Sequence, residues 1–272
     1  LMQNAWNAQL SHNRYRAYYP WTIGGAVWSM YDYNRGCCDN ICYSGLADLF
    51  RLPKFGLLYF PTQMKAGTYT PAATMQYELF INSHWLEGSS DTLQVYGNVD
   101  EVKLQLNGRV IARQYPDDKP STSEYVSRPD GGNAENIDFP PFTFFNVNWE
   151  RGELKAIGYK DGKTVAEHVV RTPGAVEAMD ITYFESGVSA SCRDLLIVYV
   201  NLKDLQGTGC FGENNREVKL EVLQGGELRG PATIKAEAGV ASFLVATTDS
   251  PMLVLKAVSG NLETMRKLKL KK

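Results

Sequence analysis

Residues 24–54 read GGAVWSMYDYNRGCCDNICYSGLADLFRLPK, and the rest of the chain is arranged around this stretch. Its leading part, Thr22–Met30, is a short, almost unbroken apolar run holding Ile23, Ala26, Val27 and Trp28. That pattern predicts a strand buried on both faces, as parallel strands are. In front of it, Met2, Trp6 and Leu10 recur every four residues with Leu1, Ala5 and Ala8 beside them, which predicts an amphipathic helix over residues 1–17, stopped by Pro20. Behind it, Pro53 opens a second short helix with Phe55, Leu58, Tyr59 and Thr62 on one face, and Pro61 ends it. Helix, doubly buried strand and helix together are one step of an α/β fold.

Downstream the period changes to two. Val102, Leu104 and Leu106 alternate with polar residues and run into Asn107-Gly108, a strong local hairpin signal. Asp161-Gly162 repeats that turn chemistry between Leu154–Tyr159 and Val165–Val170, so residues 76–172 are expected to form a β-sandwich. From Pro173 onward, strand patterns at Leu195–Val200, Val218–Val222, Ala241–Val245 and Leu253–Ala257 are separated by turns such as Gly225-Gly226 and Ser259-Gly260-Asn261. These predict an immunoglobulin-like sandwich over 173–272. Between them, Tyr115–Pro141 is rich in Pro, Asp, Ser and Gly, a loop of the length that usually carries function or moves.

Composition narrows the function. Of 272 residues, 44% are hydrophobic and 21% charged, which is ordinary for a folded globular protein. A formal net charge of -2 argues against a nucleic-acid partner, because such partners need a basic face. The one basic run, Arg266–Lys272, alternates with Leu and reads as a last edge strand. No apolar run reaches the roughly 18 residues that span a bilayer. Residues 1–20 lack the marks of a signal peptide, position 1 is Leu, and the sequence starts inside a helical pattern. The expectation is a piece of a longer chain, whose address lies upstream. Cys37, Cys38 and Cys42 cluster without a zinc-finger spacing or a nearby His, so no metal site is expected. In an exported protein Cys192 and Cys210 are candidates for a disulfide.

Two motifs in residues 24–54 carry a resemblance. Gly24, Gly25, Trp28 and Asp32 match a Gly-Gly-x-x-Trp-x-x-x-Asp pattern, and Gly45, Leu46, Asp48, Arg51, Pro53 and Lys54 match Gly-Leu-x-Asp-x-x-Arg-x-Pro-Lys. In this order and at this separation they resemble the eighth strand of the catalytic barrel in family 2 of the glycoside hydrolases, together with the segment just behind that strand. His84-Trp85, Val102–Gly108 and Asn148–Gly152 resemble pieces of the β-sandwich behind that barrel, and residues 173–272 resemble the family's last domain. The resemblance implies a mainly β fold: two β-sandwich domains preceded, in residues 1–65, by the last α/β segment of a TIM barrel. It implies a β-galactosidase-like enzyme acting on carbohydrate without a cofactor, with oligomerisation open.

That chemistry is retaining hydrolysis by two carboxylates about 5–5.5 Å apart. In the family both are glutamates on earlier barrel strands, and here residues 1–77 contain no Glu. No catalytic residue is therefore expected in this chain. The resemblance makes Trp28 one wall of the sugar pocket; read without it, Trp28 is a core residue plugging the barrel. Tyr31, Tyr33 and Asn34 follow it as further contact candidates. Asp32 and Asp48 read as structural carboxylates bonded to backbone or to Arg51. Ser44 stands where some β-galactosidases have an Asn near a monovalent cation, which puts that cation site in doubt. Trp85 and Trp149 read as core tryptophans, His84 and His168 as hydrogen-bonded structural residues, and Tyr125 as the more exposed aromatic. The competing readings are a carbohydrate-binding module, which needs exposed coplanar aromatics, and a purely structural module.

Overall fold

The expected hairpins form, and they organise the first β-sandwich. The computed structural model describes residues 2–36, 40–70, 73–117, 134–185, 187 and 189–271. In chain order the first part has α1 (Met2–Ala17), β1 (Tyr33–Asn34), β2 (Ile41–Cys42), α2 (Phe55–Thr62), β3 (Leu79–Ile81), β4 (Leu93–Gly97), β5 (Glu101–Leu106), β6 (Arg109–Gln114), β7 (Phe142–Phe144), β8 (Glu153–Lys160) and β9 (Lys163–Arg171). Asn107 and Gly108 both take positive φ, as do Asp161 and Gly162. That is the twist a two-residue turn needs to match right-handed strands. The hairpins build an antiparallel sheet in the order β6-β5-β8-β9, and β3-β4-β7 forms the second layer. Between them Ile81, Trp85, Leu93, Val95, Leu104, Phe142 and Leu154 make a closed core.

The strand buried on both faces is β4, not residues 22–30. One side of the β3-β4-β7 layer sends Ile81, Leu93 and Val95 into the sandwich. Its other side sends Phe80 and Tyr96 against Ala5 and Ala8 of α1 and Phe55 and Tyr59 of α2. Polar groups are buried there as well: the Tyr96 hydroxyl lies 2.9 Å from both Gln9 Oε1 and Gln94 Oε1. The buried stripe of α1 is therefore Ala5, Trp6, Ala8, Gln9 and Asn13, with Leu10 only half-buried. On α2, Phe55, Tyr59 and Thr62 are buried as the pattern requires, Leu58 is exposed, and Pro61 sits inside the last turn rather than before it.

Residues 22–30 form neither strand nor helix, and Ile23, Val27, Trp28 and Met30 are exposed. The physical reason is that a parallel strand is held by ladders to its neighbours. Among the described residues, the only parallel pairing near this segment is the single bridge Tyr31–Ala47. No barrel is present among the described residues.

The second part has β10 (Ala178–Tyr183), β11 (Leu195–Lys203), β12 (Glu217–Gln224), β13 (Gly226–Leu228), β14 (Thr233–Lys235), β15 (Val240–Thr247), β16 (Met252–Ser259) and β17 (Leu262–Lys269). Two antiparallel sheets, β10-β11-β15-β13 and β14-β12-β16-β17, enclose Val198, Val200, Val218, Leu220, Phe243, Val245, Leu253 and Leu255. Gly225 lets the chain leave one sheet and enter the other between β12 and β13: its φ is +80°, and a Cβ there would overlap the Met252 carbonyl. Residues 266–269 of the basic run fall on β17, an edge strand, where lysines discourage edge-to-edge pairing. Cys192 and Cys210 are both free, so the disulfide expectation is not met; Cys210 is buried in this core, and the Cys192 thiol faces the Ser250 carbonyl.

The chain divides into two compact units, residues 1–172 and 173–272. The helices thus belong to the same unit as the first sandwich. No helix among the described residues is long and apolar enough to cross a membrane.

Candidate functional site

The two motifs interlock, and the lock is a buried ion pair. Asp32, the last residue of the first motif, accepts a hydrogen bond from Lys54 Nζ, the last residue of the second, at 2.6 Å. Their side chains are 3% and 12% exposed. The same Asp32 oxygen accepts the Gly45 N–H at 2.9 Å. Gly45 has to be glycine, because a Cβ there would overlap the Asp32 nitrogen and the backbone of Tyr31. The second motif then folds on itself. Asp48 Oδ1 accepts the N–H groups of Phe50 and Leu52, each at 2.8 Å, and Arg51 adopts the left-handed conformation inside that turn. Burial raises the Asp48 pKa, and those two N–H donors oppose the shift.

This lock is tied to the helices. Asn4 on α1 accepts the Gly56 N–H at 2.8 Å and donates to the Gly45 carbonyl at 3.4 Å. Lys54 also caps α2 as its first flanking residue and donates to the Tyr43 carbonyl at 3.1 Å. The loop carrying the candidate site is therefore referenced, through Asn4, Lys54 and α2, to the sandwich beneath.

Trp28 projects from this frame with 78% of its surface exposed. Its Nε1–H donates to the Tyr33 hydroxyl at 2.7 Å, and the two rings meet edge to face with centroids 6.0 Å apart. The peptide bond that follows it, Trp28–Ser29, is cis. Tyr31 is half-buried, and the Arg51 guanidinium lies 4.6 Å from its ring centroid, a cation–π contact. Asn34 is exposed and accepts the Gly36 N–H at 2.8 Å. Trp28, Tyr31 and Asn34 thus lie on one continuous stretch that runs into β1, while Asp32, Asp48 and Arg51 form the support under it.

Beside them Cys42, paired with Tyr33 across β1 and β2, has its thiol drawn down to about 7 by the Ser44 hydroxyl first and by Tyr33 second. Cys37, Cys38 and Asp39 lie outside the described residues, as does Tyr125. Among the described residues no group of three or more His, Cys, Asp or Glu is placed to hold a metal ion.

Elsewhere Trp85, Trp149, His84 and His168 are structural. Trp85 is fully buried and donates to the Glu150 carbonyl at 3.0 Å, and Trp149 packs on the same core and donates to the Trp85 carbonyl. His168 Nδ1 accepts the Ile81 N–H, and the His84 ring packs on Phe55 at 4.8 Å. Two partners were not singled out from sequence, Lys54 for Asp32 and Tyr33 for Trp28. Lys54 closes the second motif as Asp32 closes the first, and that matched pair of opposite charges was the available signal.

Relatives of known kind share most of this chain's extent. The β-galactosidase of Thermoanaerobacter pseudethanolicus is 30% identical over 258 residues, 88% of this chain and 32% of that protein. A β-glucuronidase of Formosa agariphila is 26% identical over 194 residues, 69% of this chain and 17% of that protein. Among solved structures, a β-glycosidase from Bacteroides vulgatus superposes with a TM-score of 0.73 at 17% identity, covering 97% of this chain and 33% of that one. A family 2 β-glucuronidase superposes at 0.72 and 20% identity, covering 98% and 27%. The family model described as "Domain of unknown function (DUF4982)" matches residues 88–166, the body of the first sandwich. Fold and motifs together define a relative of the glycoside hydrolases. This chain spans about a third of the length of the Thermoanaerobacter enzyme and less of the Formosa one. Within that class its relatives and structural neighbours are β-galactosidases and β-glucuronidases, one of them of glycoside hydrolase family 2, the family that the two motifs of residues 24–54 resemble.

Proposed function

We propose that this chain is the C-terminal part of a retaining, exo-acting β-glycosidase of the β-galactosidase type, exported to the periplasm or beyond. In that reading the two catalytic glutamates lie upstream, since the first Glu here is Glu78 in the sandwich. The chain's part in the reaction is to supply one wall of the sugar pocket. The observation that carries the reading is an exposed Trp28 indole held beside two interlocked family motifs. An indole offers an apolar face on which the C–H face of a pyranose can stack, and such a platform acts by orienting the ring for attack. Tyr31 and Asn34 stand beside it as ring and amide contacts. Against a free-standing carbohydrate-binding module, Trp85 and Trp149 are committed to the sandwich core and leave no paired platform there. The test has two arms. The chain alone should turn over neither nitrophenyl β-galactoside nor nitrophenyl β-glucuronide, whereas the intact protein should hydrolyse the galactoside with retention of configuration. Turnover by the purified chain above a contaminant control, or inversion by the intact protein, would overturn it.

A further inference from the structure

The backbone just behind Trp28 is pinned, because the Ser29 and Met30 carbonyls accept the Leu46 and Ala47 N–H groups, but a stacking platform works only if its ring is held as well. Residues 22–30 have no regular structure and the indole is 78% exposed, so no surrounding core fixes its two side-chain torsions. One polar contact does: Nε1–H to the Tyr33 hydroxyl at 2.7 Å, reinforced by edge-to-face packing at 86°. Tyr33 is itself anchored. It lies on β1 in register with Cys42 and is half-buried. Asp32, next in sequence, is locked to Lys54 and Gly45. Tyr33 is therefore the nearest rigid point to which the indole is attached.

We infer that Tyr33 is the positioning residue of the sugar platform: its hydroxyl fixes the Trp28 indole in the orientation that receives the glycon, without itself contacting the sugar. This rests on the platform reading above. Loss of the hydroxyl frees the ring to leave its stacking orientation, and the cost of one hydrogen bond of this kind corresponds to about a three- to tenfold loss.

Two measurements test it. In this chain, the five indole N–H resonances are read by NMR, with Trp28 assigned by its loss in Trp28→Phe. In Tyr33→Phe the Trp28 signal should move upfield and exchange faster with solvent while the other four stay. An unmoved signal overturns the inference. In the intact enzyme, Tyr33→Phe should lower kcat/KM about three- to tenfold at unchanged Tm, and the same change made in a Trp28→Phe background, which has no N–H to hold, should cost nothing further. An equal penalty in both backgrounds means that Tyr33 acts on its own and overturns the inference. Unchanged kcat/KM in Tyr33→Phe with a large loss in Trp28→Ala removes the positioning role and leaves the platform standing. No loss in Trp28→Ala removes both.

Discussion

Replacing Lys54 by Met should destabilise the first unit by about 3 kcal/mol. The Lys54 ammonium sits 2.6 Å from an Asp32 carboxylate that is 3% exposed. Breaking a buried pair by removing one partner leaves an uncompensated charge and costs about 3–5 kcal/mol. Here the Gly45 N–H still bonds the carboxylate and Lys54 is 12% exposed, so solvent can enter where the ammonium was, which puts the cost at the low end. Asp32→Asn keeps an acceptor for Gly45 and leaves Lys54 the Tyr43 carbonyl, so it should cost about half as much. For a unit of this size, about 3 kcal/mol lowers Tm by roughly 6–12 °C in scanning calorimetry. If the loop opens without the sandwich, the same free energy shows as a cleavage rate in residues 18–53 raised about 150-fold under limiting protease. Lys219→Met, which removes an exposed pair with Glu221, is the control and should cost under about 1 kcal/mol. A Lys54→Met chain indistinguishable from Lys219→Met in both assays would refute the reasoning that the two motifs are locked by this pair.

Other outcomes follow from the same geometry. Trp28→Ala should leave the Tm of this chain nearly unchanged, because the ring is exposed, yet lower kcat/KM of the intact enzyme about 5- to 150-fold, the range for losing an aromatic platform worth about 1–3 kcal/mol. Unchanged kinetics in the folded variant would remove the platform role. Limited proteolysis should cut first within residues 18–30, where Tyr18, Tyr19, Trp21 and Ile23 are exposed, and spare α1 and α2, which share a core with the sandwich; protection of 18–30 in a monodisperse monomer contradicts this. Stability of the first unit should fall as pH drops from about 6.5 toward 4. Its three histidines, His12, His84 and His168, are all lowered by burial, His84 to about 4, so the unfolded chain binds more protons across that window. The second unit has no histidine. Its lowered carboxylates, Asp204, Glu221 and Asp249, lose their contribution only below about pH 4, so calorimetry at pH 5 should separate the two units.

What could be read from sequence was what is decided locally. Asn107-Gly108 and Asp161-Gly162 force their turns through their own backbone preferences, so both hairpins were legible, though not the register shift each carries, at Leu104/Gln105 and Gly158/Tyr159. The motif residues were legible too, as a pattern, but not their partners, because Asp32 and Lys54 are 22 residues apart. Long-range burial was the least visible. Gln9 and Asn13, both polar, are buried on α1, where Gln9 meets Tyr96 and Asn13 accepts the Asn136 N–H. The apolar run at 22–30 was read as a buried strand because periodicity reports what a segment could bury, not whether neighbours are there to bury it. β4 is the converse: Gln94 and Tyr96 are polar enough to face solvent, yet both are fully buried, Tyr96 beneath two helices from earlier in the chain.

That covering has a consequence for anyone recombining such enzymes. Residues 66–75 look like a natural seam, a short connection between helical and β sequence. Yet Phe55 and Tyr59 on one side interleave with Phe80 and Tyr96 on the other. A chimera joined at that seam would pair two halves of a core selected in different parents, and the mismatch would fall directly beneath the loop that carries Trp28. A crossover placed before α1, or after Thr172, leaves that core with a single parent.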